Sequence, residues 1–572
     1  MSTEGAPGAR SIGGEISGGS FIAATLKGYG VTHVFFMEAA LRQTLIEMEA
    51  LGIRRVLAHS EAGAVYMADG YARISHRPAV CLAQSVGAAN MAAALQDPFL
   101  GLSPVVSLTG KKPPAAQYRN AYQEIQHGRM YDPVTKFNVA VETLEQLPRL
   151  LRQALREATS GAPGPVHLDI AGGTAGEAID GAKANLDVII EDAFAHLPAF
   201  RPEPEPASLA AAAARLARAA RPIIVAGGGA RSSAAGPELL AFAEQCSIPV
   251  ATSLNAKGII AENHPLAVGV VGSYSRKSAN RAVAAADLVL FVGSHTGDQV
   301  TNNWTVPPPS VPVIHIDIDP REPGRSYPDT LPILADARIA LAKLAPQVKP
   351  KAEWTHWAQQ CRSFVEEWWR EYAEPCASGA SPIRPERLCR ELAKALPENA
   401  ILVADTGFSG IWTGALIDIT SPRQDYIRAA GSLGWGFPAS LGAKCAAPER
   451  PVICYTGDGA FWYHLSELET ARRCDIATVT IINNNSSFGQ CIDGVARNYG
   501  NRGGSQQELY TFSSVNFAAI ANEIGCLGIR VTEPDRIADA IRLALASGRP
   551  SVIDVATDKD ARAPAPWSPR GA

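Results

Sequence analysis

The chain has 572 residues, of which 47% are hydrophobic and 19% are charged. At roughly 100–200 residues per domain this length suggests about three domains, and the apolar content excludes a disordered chain. Lys and Arg number 52 and Asp and Glu number 56, so the net charge of -4 excludes a strongly basic nucleic-acid-binding protein. No apolar run approaches the ~18 residues that a membrane-spanning helix requires, so we expect no membrane segment.

The N-terminal residues and the cysteines predict a cytoplasmic protein. Residues 1–14 are small, polar and rich in glycine, and they lack the basic start and apolar stretch of a signal peptide. The 10 cysteines are scattered without a Cys-x-x-Cys pair, which is typical of structural thiols in a reducing compartment. We therefore expect a flexible arm over residues 1–17 and a cytoplasmic location.

Strand-like and helix-like segments alternate in a first block, which we predict to be a domain over residues 18–185. Its strands are short, rich in β-branched and aliphatic residues, and bounded by glycine or proline. They are Val31–Phe36, Ala79–Leu82, Val105–Leu108 and Val166–Ile170, with helices such as Ala62–Ile74 and Leu144–Ala158 between them. This alternation predicts a parallel sheet that is covered by helices on both faces.

Two further blocks repeat the pattern over residues 205–345 and 381–558. A Pro-rich, charged segment, Ala195–Ala207, predicts a semi-rigid linker before the second block, and residues 349–381 predict a less regular second connection. The strands of the two blocks are Pro222–Ala226, Val250–Ala251, Leu288–Val292, Val313–Ile318, Ile401–Ala404, Val452–Tyr455, Thr478–Ile482 and Ser551–Val555. The predicted fold class is α/β, with three doubly wound parallel-sheet domains and a Pro-rich C-terminal tail over residues 559–572.

Two neighbouring strands of the third block end in polar, Gly-rich and Asn-rich loops. Asp458 lies between two glycines after one strand, and Asn485 ends an Asn run after the next, 27 positions later. Parallel strands end at the same edge of a sheet, so these two side chains are expected to meet. A carboxylate and an amide oxygen suit Mg²⁺, which completes its shell with phosphate oxygens and water, and the glycines would let a diphosphate approach the backbone. Two ordinary turns are the alternative.

This spacing resembles the signature of thiamine diphosphate (ThDP) enzymes. Residues 18–558 resemble the acetolactate synthase-like family, which includes acetohydroxyacid synthases, oxalyl-CoA decarboxylases, 2-hydroxyacyl-CoA lyases and benzaldehyde lyase. The resemblance implies pyrimidine-binding, central Rossmann-like and pyrophosphate-binding domains, in that order. It also implies an active site between two subunits, with Glu61 of one facing Asp458 of the other, so that a homodimer is the minimum and a homotetramer is favoured.

The resemblance implies a coenzyme site in the third domain. Asp458 and Asn485 correspond to the side-chain ligands of Mg²⁺, and Ser487 corresponds to a residue that supplies a backbone carbonyl. Leu433 corresponds to a bulky apolar residue between the two coenzyme rings, which bends the coenzyme; plain core packing is the alternative. The cofactor-binding positions carried over are Glu61, Gly407, Phe408, Ser409, Gly431, Ser432, Leu433, Asp458, Gly459, Ala460, Asn485, Ser487, Phe488 and Gly489.

Two residues of the first domain, Glu61 and Gln123, correspond to catalytic positions of the family, and His127 is a third candidate. Glu61 corresponds to the glutamate that hydrogen-bonds the pyrimidine ring of ThDP and promotes loss of the C2 proton, since an acid in an apolar site can hold and donate a proton. At a helix start, Glu61 could also merely complement the helix dipole. Gln123 corresponds to a glutamine that reaches the reacting centre, and His127 could relay protons. A surface loop is the alternative for both residues.

The central domain has a Gly triplet, 227–229, after its first strand, which is weak support for a ligand site. Relatives use this domain to hold FAD, ADP or nothing. Asp317, Asp319 and Asp336 fall where such relatives bind adenosine, and a vestigial spacer is the alternative.

Three departures from the family pattern put a biosynthetic acetohydroxyacid synthase in doubt, although they leave cofactor binding untouched. Glu38 stands in a turn where relatives have Pro-Gly, so it contributes either to substrate choice or only to a solvated surface. Residues 84–87 replace the usual SGPG turn. Gly494 stands where acetohydroxyacid synthases carry a Trp that selects 2-ketobutyrate.

The sequence therefore predicts a ThDP- and Mg²⁺-dependent lyase or carboligase that acts on a 2-keto acid or a related acyl donor. The alternative is a 2-hydroxyacyl-CoA lyase or an oxalyl-CoA decarboxylase-type enzyme, with ADP in the central domain and the tail, Arg562 to Arg570, closing over a CoA thioester. A non-catalytic binding protein is disfavoured because Glu61, Asp458 and Asn485 are all present. A nicotinamide dehydrogenase is disfavoured because no Gly-x-Gly-x-x-Gly follows a predicted strand.

Overall fold

A computed structural model describes residues 9–12, 14–38, 40–172 and 177–569. The chain forms two compact units. The first comprises Met1–Phe200, Ala429–Glu449 and Tyr463–Thr478, and the second comprises Arg201–Arg428, Arg450–Trp462 and Val479–Ala572. Three six-stranded parallel sheets with flanking helices, one in the first unit and two in the second, confirm the predicted α/β class.

The first sheet has the strand order β4-β3-β5-β6-β8-β7 and lies in the first unit. The elements of this block are β1 (Ala9–Ile12), β2 (Glu15–Ser17), α1 (Gly18–Gly28), β3 (His33–Phe36), α2 (Arg42–Ala50), β4 (Arg54–Leu57), α3 (Glu61–Ser75), β5 (Ala79–Ala83), α4 (Ser85–Ala94), α5 (Gln96–Gly101), β6 (Val105–Lys111), α6 (His127–Tyr131), β7 (Phe137–Val141), α7 (Leu147–Thr159), β8 (Val166–Ala171), α8 (Glu177–Gly181), β9 (Lys183–Asn185) and β10 (Val188–Glu191). Outside the sheet, β1 pairs with β10 and β2 pairs with β9, both antiparallel. Residues 9–12 and 15–17 of the arm that was expected to be flexible therefore form β-strands.

Helix α7 shows how the first core is assembled. Its buried residues recur three and four positions apart and form one apolar stripe that packs into the core of the sheet. They are Leu147, Leu150, Leu151, Ala154, Leu155, Ala158 and Thr159.

The second sheet has the order β13-β12-β11-β14-β15-β16 and lies in the second unit. The elements of this block are α9 (Pro206–Arg218), β11 (Pro222–Ala226), α10 (Gly228–Ser232), α11 (Gly236–Cys246), β12 (Val250–Thr252), β13 (Ala267–Val270), α12 (Lys277–Ala285), β14 (Leu288–Val292), α13 (Asp298–Thr301), β15 (Val313–Asp317), β16 (Thr330–Leu334), α14 (Ala337–Leu344), α15 (Ala352–Glu371) and α16 (Ala373–Cys376). The prediction of an irregular connection over 349–381 is wrong, because α15 is a helix of 20 residues. Its tryptophans at 354, 357 and 368 are buried along one helical face.

The third sheet has the order β18-β17-β19-β20-β22-β21 and also lies in the second unit. The elements of this block are α17 (Pro385–Ala395), β17 (Ile401–Ala404), α18 (Phe408–Leu416), β18 (Asp425–Arg428), α19 (Gly436–Ala446), β19 (Val452–Gly457), α20 (Asp458–Phe461), α21 (Glu467–Arg473), β20 (Val479–Asn484), α22 (Ile492–Tyr499), α23 (Phe517–Ile524), β21 (Leu527–Val531), α24 (Ile537–Ala546) and β22 (Ser551–Ala556). Helices α19 and α21 belong to the first unit, where α19 packs against α3.

The described part of the C-terminal tail is irregular and packs on the second unit. The Nδ2 of Asn280 donates to the carbonyl of Trp567 at 2.9 Å, and the Nδ2 of Asn302 donates to the Oγ of Ser568 at 2.7 Å. Arg562 pairs with Asp493 at 2.9 Å, and Arg570, which the sequence analysis includes in the tail, lies outside the described residues. Among the helices of the described ranges, none has both the length and the apolar content to cross a membrane.

Candidate functional site

Three adjacent strands of the third sheet end in loops that carry the predicted coenzyme-binding residues. Strand β17 pairs in parallel with β19, and β19 pairs in parallel with β20, so their carboxyl ends lie side by side. The first loop leads into α18, the second into α20, and the third continues through Asn485 to Gly489. This edge is where ligands bind in open parallel sheets.

Asp458 and the loop at Asn485 meet at this edge. Asp458 is buried and directly follows Gly457, which pairs in register with Asn483 of β20. The Oδ1 of Asn485 accepts from the N–H of Ser487 at 3.1 Å. Burial raises the pKa of Asp458 to about 7, while the nearby backbone N–H groups of Gly459, Ser487 and Asn485 act in the opposite direction. The two strand ends are therefore brought together as the spacing predicts.

The residues at this edge fit a hard divalent cation. Besides the carboxylate of Asp458, this edge holds two buried side-chain oxygens with no hydrogen-bond partner among the described residues, the Oδ1 of Asn483 at the end of β20 and the Oγ of Ser487 in the loop after it. An unsatisfied buried polar atom costs ~1–3 kcal/mol, so a cation or a water molecule at this edge would stabilise these oxygens. Carboxylate, amide and hydroxyl oxygens are the ligands that Mg²⁺ prefers.

The first turn of α18 provides a place for an anion beside these loops. Gly407 precedes the helix with φ +66°, a left-handed conformation that glycine adopts without strain. A Cβ at Gly457 would lie 3.8 Å from the Oγ of Ser409, and a Cβ at Gly489 would lie 3.3 Å from the Cδ2 of Phe408, so the helix start adjoins both neighbouring loops. The first N–H groups of a helix lack intrahelical partners and favour negative charge, which suits a diphosphate.

In the first unit, Glu61 is the first residue of α3. Ser60 caps this helix, because its side chain accepts a hydrogen bond from the N–H of Gly63 at 2.9 Å. The Oε2 of Glu61 accepts from the Nδ2 of Asn90 at 3.1 Å, and a Cβ at Gly87 would lie 2.4 Å from its Oε1. Helix α4 therefore approaches the acid closely and holds one of its oxygens. Asn90 was not among the predicted site residues. Its position three residues after Gly87 puts both on the same face of α4, which is the one sequence signal for it.

A second carboxylate fixes the backbone just before Glu61. Glu467 of α21 is fully buried, and its two oxygens lie 3.0 and 3.2 Å from the N–H of His59. Thr470 also donates to it at 2.7 Å. Burial raises the pKa of Glu467, against these hydrogen bonds. The entry into α3 is thus held by a residue far away in sequence.

His127 is buried, so it does not lie in a surface loop, and its role as a proton relay stays a prediction. Its ring is buried, with Nδ1 2.9 Å from the Oδ1 of Asp169 and Nε2 3.0 Å from the carbonyl oxygen of Ser85. Asp169 also accepts from the Oγ1 of Thr109 at 2.8 Å. Both ring nitrogens are therefore engaged within the first unit, one with Asp169 of β8 and the other with Ser85 at the start of α4.

Gln123 lies in the loop between β6 and α6 with φ +61°, and Tyr118 and Asn120 of the same loop also have positive φ. Left-handed residues other than glycine are uncommon and are often found at functional sites. The neighbouring Tyr122 is 80% exposed, so this loop projects from the first unit.

The segment that contains Gly431, Ser432 and Leu433 belongs to the first unit, although it follows a strand of the third sheet. Leu433 is half-buried and is not part of a buried hydrophobic cluster among the described residues, which argues against plain core packing. The carboxylate of Asp97, which was not among the predicted site residues, holds this segment through backbone N–H groups.

The predicted site residues fall into two groups, one per unit. Glu61, Gln123, His127 and residues 431–433 lie in the first unit, and residues 407–409, 458–460 and 485–489 lie in the second.

Two of the departures from the family pattern can be placed. The side chain of Glu38 is 56% exposed and pairs with Arg42 at 2.6 Å, which supports the interpretation as a solvated surface residue. Gly494 lies on α22 beside a cavity of about 540 Å³. The cavity is lined by Cys491, Gly494, Val495, Asn498, Tyr499, Arg502 and Leu509.

The three carboxylates that were predicted to lie at an adenosine site, Asp317, Asp319 and Asp336, are engaged within the protein. Asp336 caps α14 and pairs with Arg201 at 3.1 Å. Hydrogen bonds from Arg321 lower the pKa of Asp319 to about 2, and Asp317 accepts from the N–H of Asp319 at 2.9 Å. Nothing in these contacts singles out an adenosine site.

Family models match all three blocks. They are the N-terminal binding domain of thiamine pyrophosphate (TPP, the same compound as ThDP) enzymes over residues 16–130, their central domain over 209–344 and their C-terminal TPP binding domain over 405–555.

Relatives match over most of the chain. It is 33% identical over 519 residues to a probable acetolactate synthase large subunit of Methanocaldococcus jannaschii, covering 88% of this chain and 85% of the relative. It is 32% identical over 522 residues to the acetolactate synthase large subunit of Corynebacterium glutamicum, covering 89% and 81%. It is 33% identical over 444 residues to the acetolactate synthase isozyme 1 large subunit of Escherichia coli, covering 76% and 75%. The chain therefore belongs to the ThDP-dependent, acetolactate synthase-like enzymes and is a carboligase that forms carbon–carbon bonds.

Proposed function

We propose that this enzyme requires Mg²⁺ as well as ThDP and that it acts on a 2-keto acid or a related acyl donor. The observation that carries the metal requirement is the buried carboxylate of Asp458 where two strand ends meet. The Oδ1 of Asn483 and the Oγ of Ser487 are buried at the same edge without a hydrogen-bond partner among the described residues. The substrate class is supported by the relatives, which are acetolactate synthase large subunits.

The proposed metal and diphosphate contacts lie in the second unit. Asp458, Asn485 and the carbonyl of Ser487 would hold the metal, and the first turn of α18 would face the diphosphate. Gly459, Ala460, Phe488 and Gly489 would add contacts beside them, and residues 431–433 are proposed separately as coenzyme contacts of the first unit. When bound, ThDP supplies the nucleophilic carbon and the electron sink for cleavage or formation of the bond next to the carbonyl.

Glu61 would hold the proton that activates the coenzyme. Its carboxyl group is held by Asn90 and closely approached by α4, so one oxygen is oriented while the half-buried side chain stays partly accessible to solvent.

The proposed assembly places Glu61 of one subunit against the metal site of a partner, so the active enzyme is a homodimer or a homotetramer. Gln123, on its projecting loop, would contact a substrate oxygen. Light scattering of the purified enzyme tests the assembly, and a catalytically active monomer would contradict it.

The substrate side chain is proposed to lie along α22. The cavity there is lined mainly by apolar groups, and Gly494 leaves open the space around its own Cα. Arg562, the one arginine in the described part of the tail, forms an exposed ion pair with Asp493, which favours neither substrate class. We also propose a reducing location, the cytoplasm, because all 10 cysteines are unpaired.

The test is a substrate screen with the purified protein. Cofactors that copurify are first identified by absorbance and mass, which settles whether FAD or ADP is present. The protein is then supplied with ThDP and Mg²⁺ and offered 2-keto acids and 2-hydroxyacyl-CoAs in parallel. We expect consumption of a 2-keto acid that stops when EDTA removes the metal. Turnover of acyl-CoA alone would overturn the substrate class.

A further inference from the structure

One buried carboxylate outside the predicted site holds the segment before α19. Asp97 of α5 is fully buried. It accepts hydrogen bonds from three consecutive backbone N–H groups, those of Ala430 at 2.9 Å, Gly431 at 3.2 Å and Ser432 at 2.9 Å. Successive N–H groups that converge on one anion form a specific binding geometry for negative charge.

Arg73 balances the charge of this carboxylate. Its Nη2 lies 3.0 Å from the Oδ1 of Asp97 and 2.6 Å from the Oδ2 of Asp69, and its side chain is only 12% exposed. The guanidinium also lies 4.7 Å from the ring centroid of Trp435, whose Nε1 donates to Asp69 at 2.9 Å. The segment between Ala430 and Trp435 is therefore anchored at both ends, at its start by Asp97 and at its end by the Arg73–Asp69 pair.

Between β18 and α19 the segment has no regular secondary structure that could set its shape. In a trans peptide the N–H and the C=O of one plane point in opposite directions. With the N–H groups of residues 430–432 directed at Asp97, the carbonyls of the same planes, from residues 429–431, face away from it. The contact with Asp97 thus orients a row of acceptors and sets the position from which Leu433 extends.

We propose that Asp97 is a positioning residue for the coenzyme, acting through residues 430–433. The inference rests on the proposed function, in which Gly431, Ser432 and Leu433 contact the coenzyme, and it adds a residue from the first domain that does not itself touch it. Asp97 fixes the segment by accepting hydrogen bonds from its N–H groups, and Arg73 pairs with the buried carboxylate.

The test compares Asp97→Asn with a matched control, Asp287→Asn. Asp287 also accepts from two consecutive backbone N–H groups, those of Ala220 at 2.9 Å and Arg221 at 2.8 Å, but in the central block. We expect Asp97→Asn to weaken ThDP binding, measured by calorimetry with Mg²⁺, at least tenfold, and to speed hydrogen exchange at residues 430–432 in the coenzyme-free protein. The control should show neither effect.

Wild-type affinity and wild-type exchange in Asp97→Asn would overturn the proposal. Asp97→Glu keeps the charge but displaces it by one methylene, and it decides the question if Asp97→Asn does not fold: weaker binding in a folded protein supports the proposal, and unchanged binding overturns it. The exchange measurement needs no coenzyme. If the wild-type protein binds no ThDP, the proposed function fails, while exchange still shows whether Asp97 holds the segment.

Discussion

The first and third sheets have the same strand order but end in different chemistry. Counted along the chain within each sheet, both orders are second, first, third, fourth, sixth, fifth. In the third sheet, the third and fourth strands are followed by Asp458 and Asn485, whereas in the first sheet they are followed by Gln84 and Lys112. The acid of the first sheet, Glu61, comes instead after the edge strand β4. The shared strand order places loops at the carboxyl edge of both sheets, and the residues of those loops determine which ligand can bind there.

The largest expected effect comes from removing the carboxylate of the third sheet. Asp458→Ala should abolish Mg²⁺-dependent ThDP binding and lower activity by more than ~100-fold, since even residues outside the first coordination shell of a metal cost 10–100-fold. Calorimetry and steady-state kinetics measure both. Asp539→Asn, on the exposed surface of α24, is the control. If Asp458→Ala still bound ThDP in a metal-dependent way, the metal site would not lie at the carboxyl edge of the third sheet.

Removing the acid of the first unit should separate catalysis from binding. Glu61→Gln is expected to lower kcat by about 10²–10⁴-fold, the range for a lost general acid–base group, because the amide cannot exchange the proton. ThDP affinity should change little, since the metal and diphosphate contacts lie in other loops. Glu61→Asp keeps the acid and should recover part of the rate. Unchanged turnover of Glu61→Gln would return Glu61 to a helix-capping role.

A smaller effect on stability is expected from a buried histidine of the first unit. Burial lowers the pKa of His167 to about 3, so the neutral ring is favoured in the folded state. Its contribution to stability is fully present above the unfolded pKa of about 6.5 and is lost as the pH falls toward 3. At pH 5 the loss is about 2 kcal/mol relative to pH 7.

Urea unfolding of wild type and His167→Gln at pH 7 and pH 5 measures this contribution. The variant should be less stable at pH 7 but should lose less stability between the two pH values. An identical loss in both proteins would show that other groups cause the acid sensitivity.

The smallest effect is expected at Glu38. Its pair with Arg42 is exposed, and exposed ion pairs contribute about 0–1 kcal/mol. Glu38→Gln should leave activity within about twofold and stability within about 0.5 kcal/mol. A changed substrate profile in the screen of 2-keto acids would instead assign Glu38 to specificity.

The strands that sequence patterns revealed are the central ones of each sheet. The unpredicted members of the three sheets are all edge strands, namely β4, β7, β13, β16, β18 and β21. Central strands are buried on both faces and are continuous apolar runs, such as Pro222–Ala226. An edge strand such as Thr330–Leu334 has exposed and half-buried residues, so its pattern resembles a loop. Helix α15 was missed for a different reason, because its tryptophans suggested irregularity although their spacing is helical.

The sequence alone determined the class of fold and the meeting of Asp458 with the Asn485 loop, because buried strands have local signatures and parallel strands end at one edge. The residues that orient the other predicted groups depended on the tertiary structure. Asp97 and Ala430 are 333 positions apart, and His59 and Glu467 are 408 apart. Such pairs have no periodic signal, since their contact is set by how α5 and α21 pack within the first unit. The tertiary structure also decided that His127 faces Asp169 and Ser85, because burial closed both of its nitrogens to solvent.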